Sequence, residues 1–542
     1  MYQFRLACVA ALAALVLAAC GSNSPTSTVS ASTARGTLAA DPPLRIASLS
    51  AAAFQAELSA SSSGSQLLTL AGAPACGVDF YYLEYWTVGG AGEVIEDSGA
   101  LMVPTGAAPG CSGPRPILLY AHATQTDKLA NIADITNPSN TEGDYIAAMF
   151  ASQGYIVVAP NYAGYDISTL GYHPFLDAAQ QSGEMLDILT AARTALPKTF
   201  SASTSDSGQL LLTGYSEGGH VTLATLKALE AKGQTVTAVA GGSGPYALEA
   251  FGDAIMFGAV DLDSTVFAPL LTTSYQHEFG NIYSTTSDIY SSTYATGIDT
   301  LLPSATPVTT LISQGLLPET ALFDSTTPVV TVPGSPAEST ALTEALSVPT
   351  TATVPPSEAA DVPLFDLGFG SPYLINNSVR VAYALDAATD PDGEDTFITM
   401  AAASPALAPA APTYPLRSAF YQNDMRTWFG SLLPSAPLLL CGGENDPTVY
   451  FFNTETMAAY WSALPAGALT VLDVDPASGP SGTFAALQAE FQGLEMQSIA
   501  ALEATGLTAT QAEEELAPDY HTDVEPFCLL GARAFFNQIL AE

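Results

Sequence analysis

Gly214-Tyr215-Ser216-Glu217-Gly218 sets a serine between two glycines, after the apolar run Leu210-Leu211-Leu212-Thr213 and before a helix-forming stretch over 220–232. A serine at a tight strand-to-helix turn projects its hydroxyl from the sheet edge, and side chains at the flanking positions would crowd the neighbouring elements. The chemistry open to such a serine is acyl transfer. It needs a base within hydrogen-bond reach and a carboxylate that orients the base.

Five histidines are available: His122, His173, His220, His277 and His521. His220 lies four residues after Ser216, on the helix expected to run beneath the turn, which suits a structural role. His122 follows an early strand, where oxyanion donors belong. His277 falls in a region without strand–helix alternation. His521 alone follows the late acidic candidates, in a Pro- and Asp-rich stretch that reads as a loop before a last helix over 528–540, and it is the expected base.

Asp446, in Cys441-Gly442-Gly443-Glu444-Asn445-Asp446-Pro447, stands just beyond the strand-like run 437–441, where a ligand-facing carboxylate is expected, and is the candidate acid. Glu444, Asp473 and Asp475 are its rivals, while Asp519 and Asp523 are too close in sequence to His521. Oxyanion donors are expected from the N–H of Glu217 and from Ala123 or Thr124 in Tyr120-Ala121-His122-Ala123-Thr124. His122, Tyr162 and Tyr165 are candidates for lining the substrate pocket, with aromatic packing behind the serine turn as the alternative for the 160–166 loop.

These residues need a scaffold. The segments 80–87 and 93–103 alternate and are rich in aromatic and β-branched residues, so they read as a hairpin. Apolar runs at 117–120, 155–159, 210–213 and 235–240 alternate with helix-forming stretches at 143–152 and 175–196. Continuous apolar strands between helices predict an α/β fold with a mainly parallel sheet covered on both faces. From 241 to 410 the pattern gives way to Ser, Thr, Pro and Ala with several helices, which predicts a large, mostly helical cap insertion with irregular or extended pieces around 325–334. Alternation resumes with strand 437–441, helix 454–464, strand 469–474 and helix 483–503. The predicted division is therefore a core in two parts, 46–240 and 411–542, interrupted by the cap.

Together, Tyr120-Ala121-His122-Ala123, the 160–165 loop, the 214–218 turn, the Asp446 loop and His521-Thr522-Asp523-Val524-Glu525-Pro526-Phe527-Cys528 resemble the secretory lipase family of α/β-hydrolases. The resemblance covers most of the chain beyond residue 70 and is weakest in the cap. It implies Ser216 as nucleophile, Asp446 as acid, His521 as base, a helical insertion over the site, and hydrolysis of carboxylic esters through an acyl-enzyme. Where that family carries His-Gly, this chain has His122-Ala123, and alanine retains the N–H. A peptidase or amidase of the same fold is the alternative, followed by a surface binding protein on an inactive scaffold, against which the intact Ser216, Asp446 and His521 weigh.

The composition narrows the partners. With 53 acidic against 13 basic residues and a formal charge of -40, the chain lacks the clustered cations that nucleic-acid binding requires. The same charge favours a neutral or apolar ester over an anionic polymer. The histidines are scattered, C-x-x-C is absent and no phosphate-cradling glycine loop is evident, so neither metal nor cofactor is expected.

Residues 1–20 carry one charge, Arg5, then an apolar stretch ending in Leu17-Ala18-Ala19-Cys20-Gly21, the marks of an export signal. The small residues before Cys20 resemble the bacterial lipoprotein processing box. That resemblance implies lipidation of Cys20, a membrane anchor, and a place at the outer membrane, on its periplasmic face or at the cell surface. Residues 21–45 read as a flexible tether. Four cysteines then remain for the folded part, and export permits disulfides. The preferred pairs of the three possible pairings are Cys76–Cys111 and Cys441–Cys528, with free buried thiols as the alternative.

Overall fold

Short, fully apolar strands lie in the interior of the sheet, as in Ile156–Pro160, Ala238–Gly242 and Leu438–Gly442, every residue of which is buried. The computed structural model describes residues 35–137, 140–349, 362–389 and 412–541, so the expected signal segment, Cys20 and the first part of the tether lie outside the described residues. In chain order the strands are β1 (Leu44–Leu49), β2 (Gly77–Val88), β3 (Val94–Thr105), β4 (Gly113–Ala121), β5 (Ile156–Pro160), β6 (Thr204–Tyr215), β7 (Ala238–Gly242), β8 (Phe323–Asp324), β9 (Phe369–Gly370), β10 (Leu438–Gly442) and β11 (Leu469–Asp473). Nine of them form one sheet in the order β1-β2-β3-β5-β4-β6-β7-β10-β11, and β8 pairs with β9 elsewhere.

The expected hairpin is β2 against β3, antiparallel and longer at both ends than its alternating core suggests. From β5 through β4, β6, β7 and β10 to β11 every pairing is parallel. Side chains alternate across the sheet, so Leu118 and Tyr120 enter one core while Ile117, Leu119 and Ala121 enter the other. The first core is closed by the helices Thr141–Met149 and Ala509–Ala541, the second by Ala178–Ala195 and Glu217–Ala231.

Two expected boundaries need correction. The segment 35–45 is not a free tether, because Gly36 N donates to Trp86 O, Trp86 N to Thr37 O and Ala39 N to Glu84 O, and β1 already begins at Leu44. Few apolar side chains mark this stretch, since it is held by backbone hydrogen bonds at the sheet edge. The cap, in turn, does not end at 410. Leu416, Ala419 and Phe420, spaced along one face of the helix Pro415–Asn423, belong to the cap core with Leu270, Tyr275 and Tyr383. The composition shift near 410 marks the end of an Ala- and Pro-rich stretch, whereas the packing carries the cap on to Asn423.

The cap leaves the core after β7 and returns before β10, and a buried ionic cluster joins the two crossings. Arg417 grips Asp253 with two bonds of 3.0 Å and also contacts Glu249, while Arg426 is held by Asp424 at 2.9 Å. Glu249 N donates to Asp424 Oδ2 at 3.0 Å, linking departing and returning chain directly. Glu249, Asp253, Asp424 and, at 3.6 Å from Arg417, Asp386 face two arginines here, so charge is lowest when Glu249 is neutral. Burial, and then the charge of Asp253, push the Glu249 carboxyl well above the usual range.

The last helix departs most from expectation. Ala509–Ala541 is one continuous helix that includes His521 and runs through Pro518 and Pro526, where a loop was expected before residue 528. A proline inside a helix costs about 3 kcal/mol. Burial of Tyr520, Val524, Phe527, Cys528, Leu529 and Phe536 against the sheet outweighs that local preference.

Both preferred disulfides are present, Cys76–Cys111 and Cys441–Cys528. The second ties β10 to the last helix across 87 residues of sequence. Replacing Cys441 and Cys528 together by alanine is expected to cost about 2–5 kcal/mol of unfolding free energy, measured by chemical denaturation. Activity should fall further than in the Cys76/Cys111 double variant, because only the second bridge joins elements that carry site residues.

Candidate active site

Ser216 follows β6 directly and caps the helix Glu217–Ala231 with φ 57° and ψ −121°, a region that costs a non-glycine residue about 1–3 kcal/mol. Its N–H is held by Gly242 O at 2.9 Å. A Cβ at Gly218 would stand 1.9 Å from Ala121 O, and one at Gly214 would stand 2.4 Å from the same atom. Both flanking glycines are therefore required by the close approach of β4.

His521 Nδ1 lies 2.6 Å from Asp446 Oδ2. The other carboxylate oxygen, Oδ1, accepts the N–H groups of Thr448 and Val449 at 3.0 Å each, which fixes the rotamer of a side chain that is only 1% exposed. Tyr215, next to the serine, donates its hydroxyl to His521 O at 2.5 Å and so ties the histidine backbone to the turn. The second ring nitrogen, Nε2, is buried without a protein partner, and no hydrogen bond joins it to Ser216 Oγ in this state. Such bonds are commonly long in resting hydrolases and tighten with substrate.

The rival acids are committed elsewhere. Glu444 accepts Ala477 N, Asp473 accepts the N–H groups of Glu444 and Asp475, and Asp475 holds Asn445 and Gln492. Of the other histidines, His220 is buried on the serine helix with Nε2 against Asn423 O at 2.7 Å, and burial pulls its pKa down. His277 stacks on Tyr172. Neither faces the serine turn.

The oxyanion loop requires one correction. Ala123 N donates to Glu142 Oε1 at 2.9 Å and is not free to act as a donor. Thr124 lines the cavity beside Ser216 and Glu217, and Glu217 N opens a helix ahead of any intrahelical acceptor, so of the expected donors these two stand at the cavity. Of the substrate-lining candidates, Tyr162 and Tyr165 stand away from the apolar cavity beside Ser216, and His122 lies on the wall of a second cavity. Tyr162 and Tyr165 are fully buried, and their hydroxyls hold His122 O at 3.3 Å and Gln125 O at 2.5 Å. His122 stacks on Tyr162 with ring centres 4.0 Å apart, its two nitrogens turned to Ala123 O and Asn161 O. All three support the loop from behind.

That support continues to a pair the sequence gave no reason to join. His173 Nε2 lies 2.6 Å from Glu217 Oε1 and its Nδ1 lies 2.9 Å from Ala163 O, while Gln181 donates to the same carboxylate oxygen at 2.5 Å. Burial opposes the charge on both groups, but their attraction for each other outweighs it, so His173 is raised above its ordinary 6.5 and Glu217 lowered below its ordinary 4.5. The only sequence signal was Glu217 itself, a carboxylate placed where a helix N-terminus enters the core.

On the opposite side of Ser216 lies a cavity of about 100 Å³ walled by Phe175, Leu248, Phe251, Phe267, Leu271 and Phe420, most of them cap residues. Asp261 also reaches it. Burial pushes that carboxyl well above the usual range, which favours its neutral form, and Ser264 donates to it. Among the described residues no group of three or more His, Cys, Asp or Glu could hold a metal ion.

A parallel sheet with an antiparallel edge, a strained serine between strand and helix, and a carboxylate–histidine pair on later elements define an α/β-hydrolase fold. Solved structures agree. A variant of the rice cell wall degrading esterase LipA from Xanthomonas oryzae superposes with a TM-score of 0.63 at 22% identity, over 93% of this chain and 99% of that one. Its ligand-bound form gives 0.61 at 22% identity, over 92% and 98%. A chain from Legionella pneumophila, provisionally assigned as a hydrolase, gives 0.57 at 18% identity, over 92% and 96%. Neither a family model nor a curated protein matches the sequence.

The His173–Glu217 pair makes a prediction with a definite sign. The His173 contribution is complete below about 6.5 and is lost as pH rises through its folded value, while that of Glu217 is present above about 4.5 and is lost as pH falls through its folded value. His173→Ala leaves a carboxylate buried without its cation and should cost about 3–5 kcal/mol in urea unfolding at pH 6. Adding Glu217→Gln should recover most of that loss.

Proposed function

We propose that the protein is a serine ester hydrolase that cleaves carboxylic esters carrying an apolar acyl group, through an acyl-enzyme. The carrying observation is the 2.6 Å pair of His521 and Asp446, set beside a strained serine at the mouth of an apolar cavity. The fold shared with a rice cell wall degrading esterase supports ester chemistry as the reaction class.

In this reading Ser216 Oγ attacks the carbonyl carbon as His521 Nε2 takes its proton. Asp446 holds the proton on Nδ1, and so the tautomer in which Nε2 is the acceptor, and it stabilises the imidazolium that forms. The N–H groups of Glu217 and Thr124 receive the developing oxyanion, each such donor contributing about 2.7–4 kcal/mol. His521 then protonates the departing alcohol. Water, deprotonated by the same imidazole, releases the acid. Nothing in these steps calls on a metal or a cofactor.

The acyl group fits the cap-walled cavity, where Asp261 in its neutral form adds no charge against it. With p-nitrophenyl esters as substrate, Ser216→Ala and Asp446→Asn should each lower kcat by about 10⁴-fold or more while the variants stay folded. A fluorophosphonate probe should label the wild type and not Ser216→Ala. Strong turnover of aminoacyl amides with none of esters would overturn this reading in favour of a peptidase or amidase.

We also propose that Cys20 is lipidated and anchors the protein to a bacterial membrane. Among the described residues no helix is long and apolar enough to cross one. Metabolic labelling with an alkyne fatty acid should mark the wild type, and Cys20→Ser should lose both the label and sedimentation with membranes.

A further inference from the structure

Two buried acids meet where the oxyanion loop touches the helix that carries His521. The Tyr120 hydroxyl lies 2.6 Å from Glu142 Oε1 and 3.3 Å from Glu525 Oε1. Glu142, in the first turn of the helix Thr141–Met149, also accepts Ala123 N at 2.9 Å and the Gln125 side-chain amide at 3.4 Å. Glu525 stands four residues after His521, one turn further along the last helix. The two residues are 8% and 6% exposed, and among the described residues neither forms an ion pair with Lys or Arg.

Two carboxylates that meet on one buried hydroxyl oppose each other's ionisation. Tyr120 has one hydroxyl hydrogen for two acceptors, so a proton held by the pair would meet the remaining demand. A second cavity of about 470 Å³, separate from the apolar one, is lined by both acids together with Ala123, Thr124 and Thr522. It gives the proton a polar route for exchange.

We propose that Glu142 and Glu525 are positioning residues, whose shared proton clamps the oxyanion loop to the His521 helix and so sets the Thr124 donor relative to the base. This rests on the ester-hydrolase reading. Neither acid touches substrate. Glu142 fixes the loop by taking the Ala123 N–H, the residue immediately before the Thr124 donor, and Glu525 fixes the helix side of the same contact.

The surroundings favour retention of the proton. Tyr120 of β4, Tyr162 of the 160–166 loop and Tyr215 of the serine turn face the pair, each pushed well above its ordinary pKa by burial. Tyr145 on the helix of Glu142 is raised likewise, chiefly by burial. Asp144 and Asp523, lifted to about 6 mainly by burial, add negative charge once ionised. His122, also on the cavity wall, has both nitrogens turned to backbone carbonyls. Burial first, and then the Glu142 charge, raise the Glu525 carboxyl well above the usual range. The native state thus holds a proton that the unfolded chain has lost, and folding stability falls as pH rises above the ordinary carboxyl range. When the proton leaves, two carboxylates repel across the contact and the clamp opens. The apolar cavity lies on the other side of Thr124, so the loss is read in kcat and not in KM.

The test uses the full-length protein. Glu525→Gln supplies a permanent N–H donor to Glu142, so the alkaline decline of its kcat should be smaller than that of the wild type, leaving only what His173 contributes. Glu142→Ala frees the loop and should lower kcat by about 10-fold or more with KM changed less than about threefold, since misplacement of a reacting geometry by about 1 Å costs up to about 10². Glu142→Gln, which keeps an acceptor for Ala123, should restore most of that loss. Infrared spectroscopy without substrate should show a buried protonated carboxyl in the wild type that Glu525→Gln lacks. An unaltered alkaline decline in Glu525→Gln, an unchanged kcat in Glu142→Ala, or no difference in the carboxyl band would each overturn the proposal. Wild type inactive on every ester would instead sink the ester-hydrolase reading, and the carboxyl band would still decide whether the pair shares a proton. If Glu142→Ala fails to fold, Glu525→Gln and the infrared comparison decide the matter.

Discussion

The proposed acyl transfer would place a negative charge on an oxygen inside a protein that carries 53 acidic residues against 13 basic ones. Local neutrality where that oxyanion would form is therefore the condition on which the proposed site depends. Each carboxylate near the donors is answered at short range. Glu217, whose own N–H is a proposed donor, is compensated by His173 and Gln181. Asp446 is balanced by two backbone N–H groups and the histidine it orients. Asp261, on the cavity wall, is pushed toward its neutral form by burial. An uncompensated charge at any of these places would act against the oxyanion through a medium of low dielectric, where Coulomb terms are largest.

The fold serves that condition by keeping the reacting groups on rigid elements. The serine turn is pinned between β4 and the start of its helix by approaches that only glycine permits at 214 and 218. Asp446 follows β10, a fully buried strand one in from the sheet edge, and His521 stands on a long helix packed across the same sheet. The Cys441–Cys528 bridge and the Tyr215 hydroxyl cross-link these elements around the pair. The strain at Ser216 is carried by a framework whose strands are buried on both faces, and such a framework over-determines the local geometry.

Much of this was legible in the sequence. The sheet strands were marked by continuous apolar runs, and Ser216 by its two glycines. Asp446 and His521 were singled out by chain order and by elimination among few histidines, and both disulfides by the placement of four cysteines. Tertiary packing accounts for what was not legible. Pro518 and Pro526 read locally as helix breakers, and only the apolar surface they help to bury explains a helix running through both. Tyr162 and Tyr165 looked equally suited to a pocket wall or a buttress, because an aromatic ring carries no mark of the side from which it is approached. The neutralising partners of Glu217 and Ala123, His173 and Glu142, lie 44 and 19 residues from them, and no periodicity links positions brought together by a fold.

The junction of cap and core has a meaning of its own. Departing and returning chain meet at Glu249 and Asp424, so the insertion starts and finishes at nearly one point in space. The cavity walls come mostly from that insertion, while Ser216, Asp446 and His521 stand on the sheet and its helices. In the proposed reaction, preference and reactivity would thus reside on separable lengths of polypeptide. A cap of different shape, joined through the same arginine-bound acids, would then meet an unaltered chemical centre, as an exchangeable cassette.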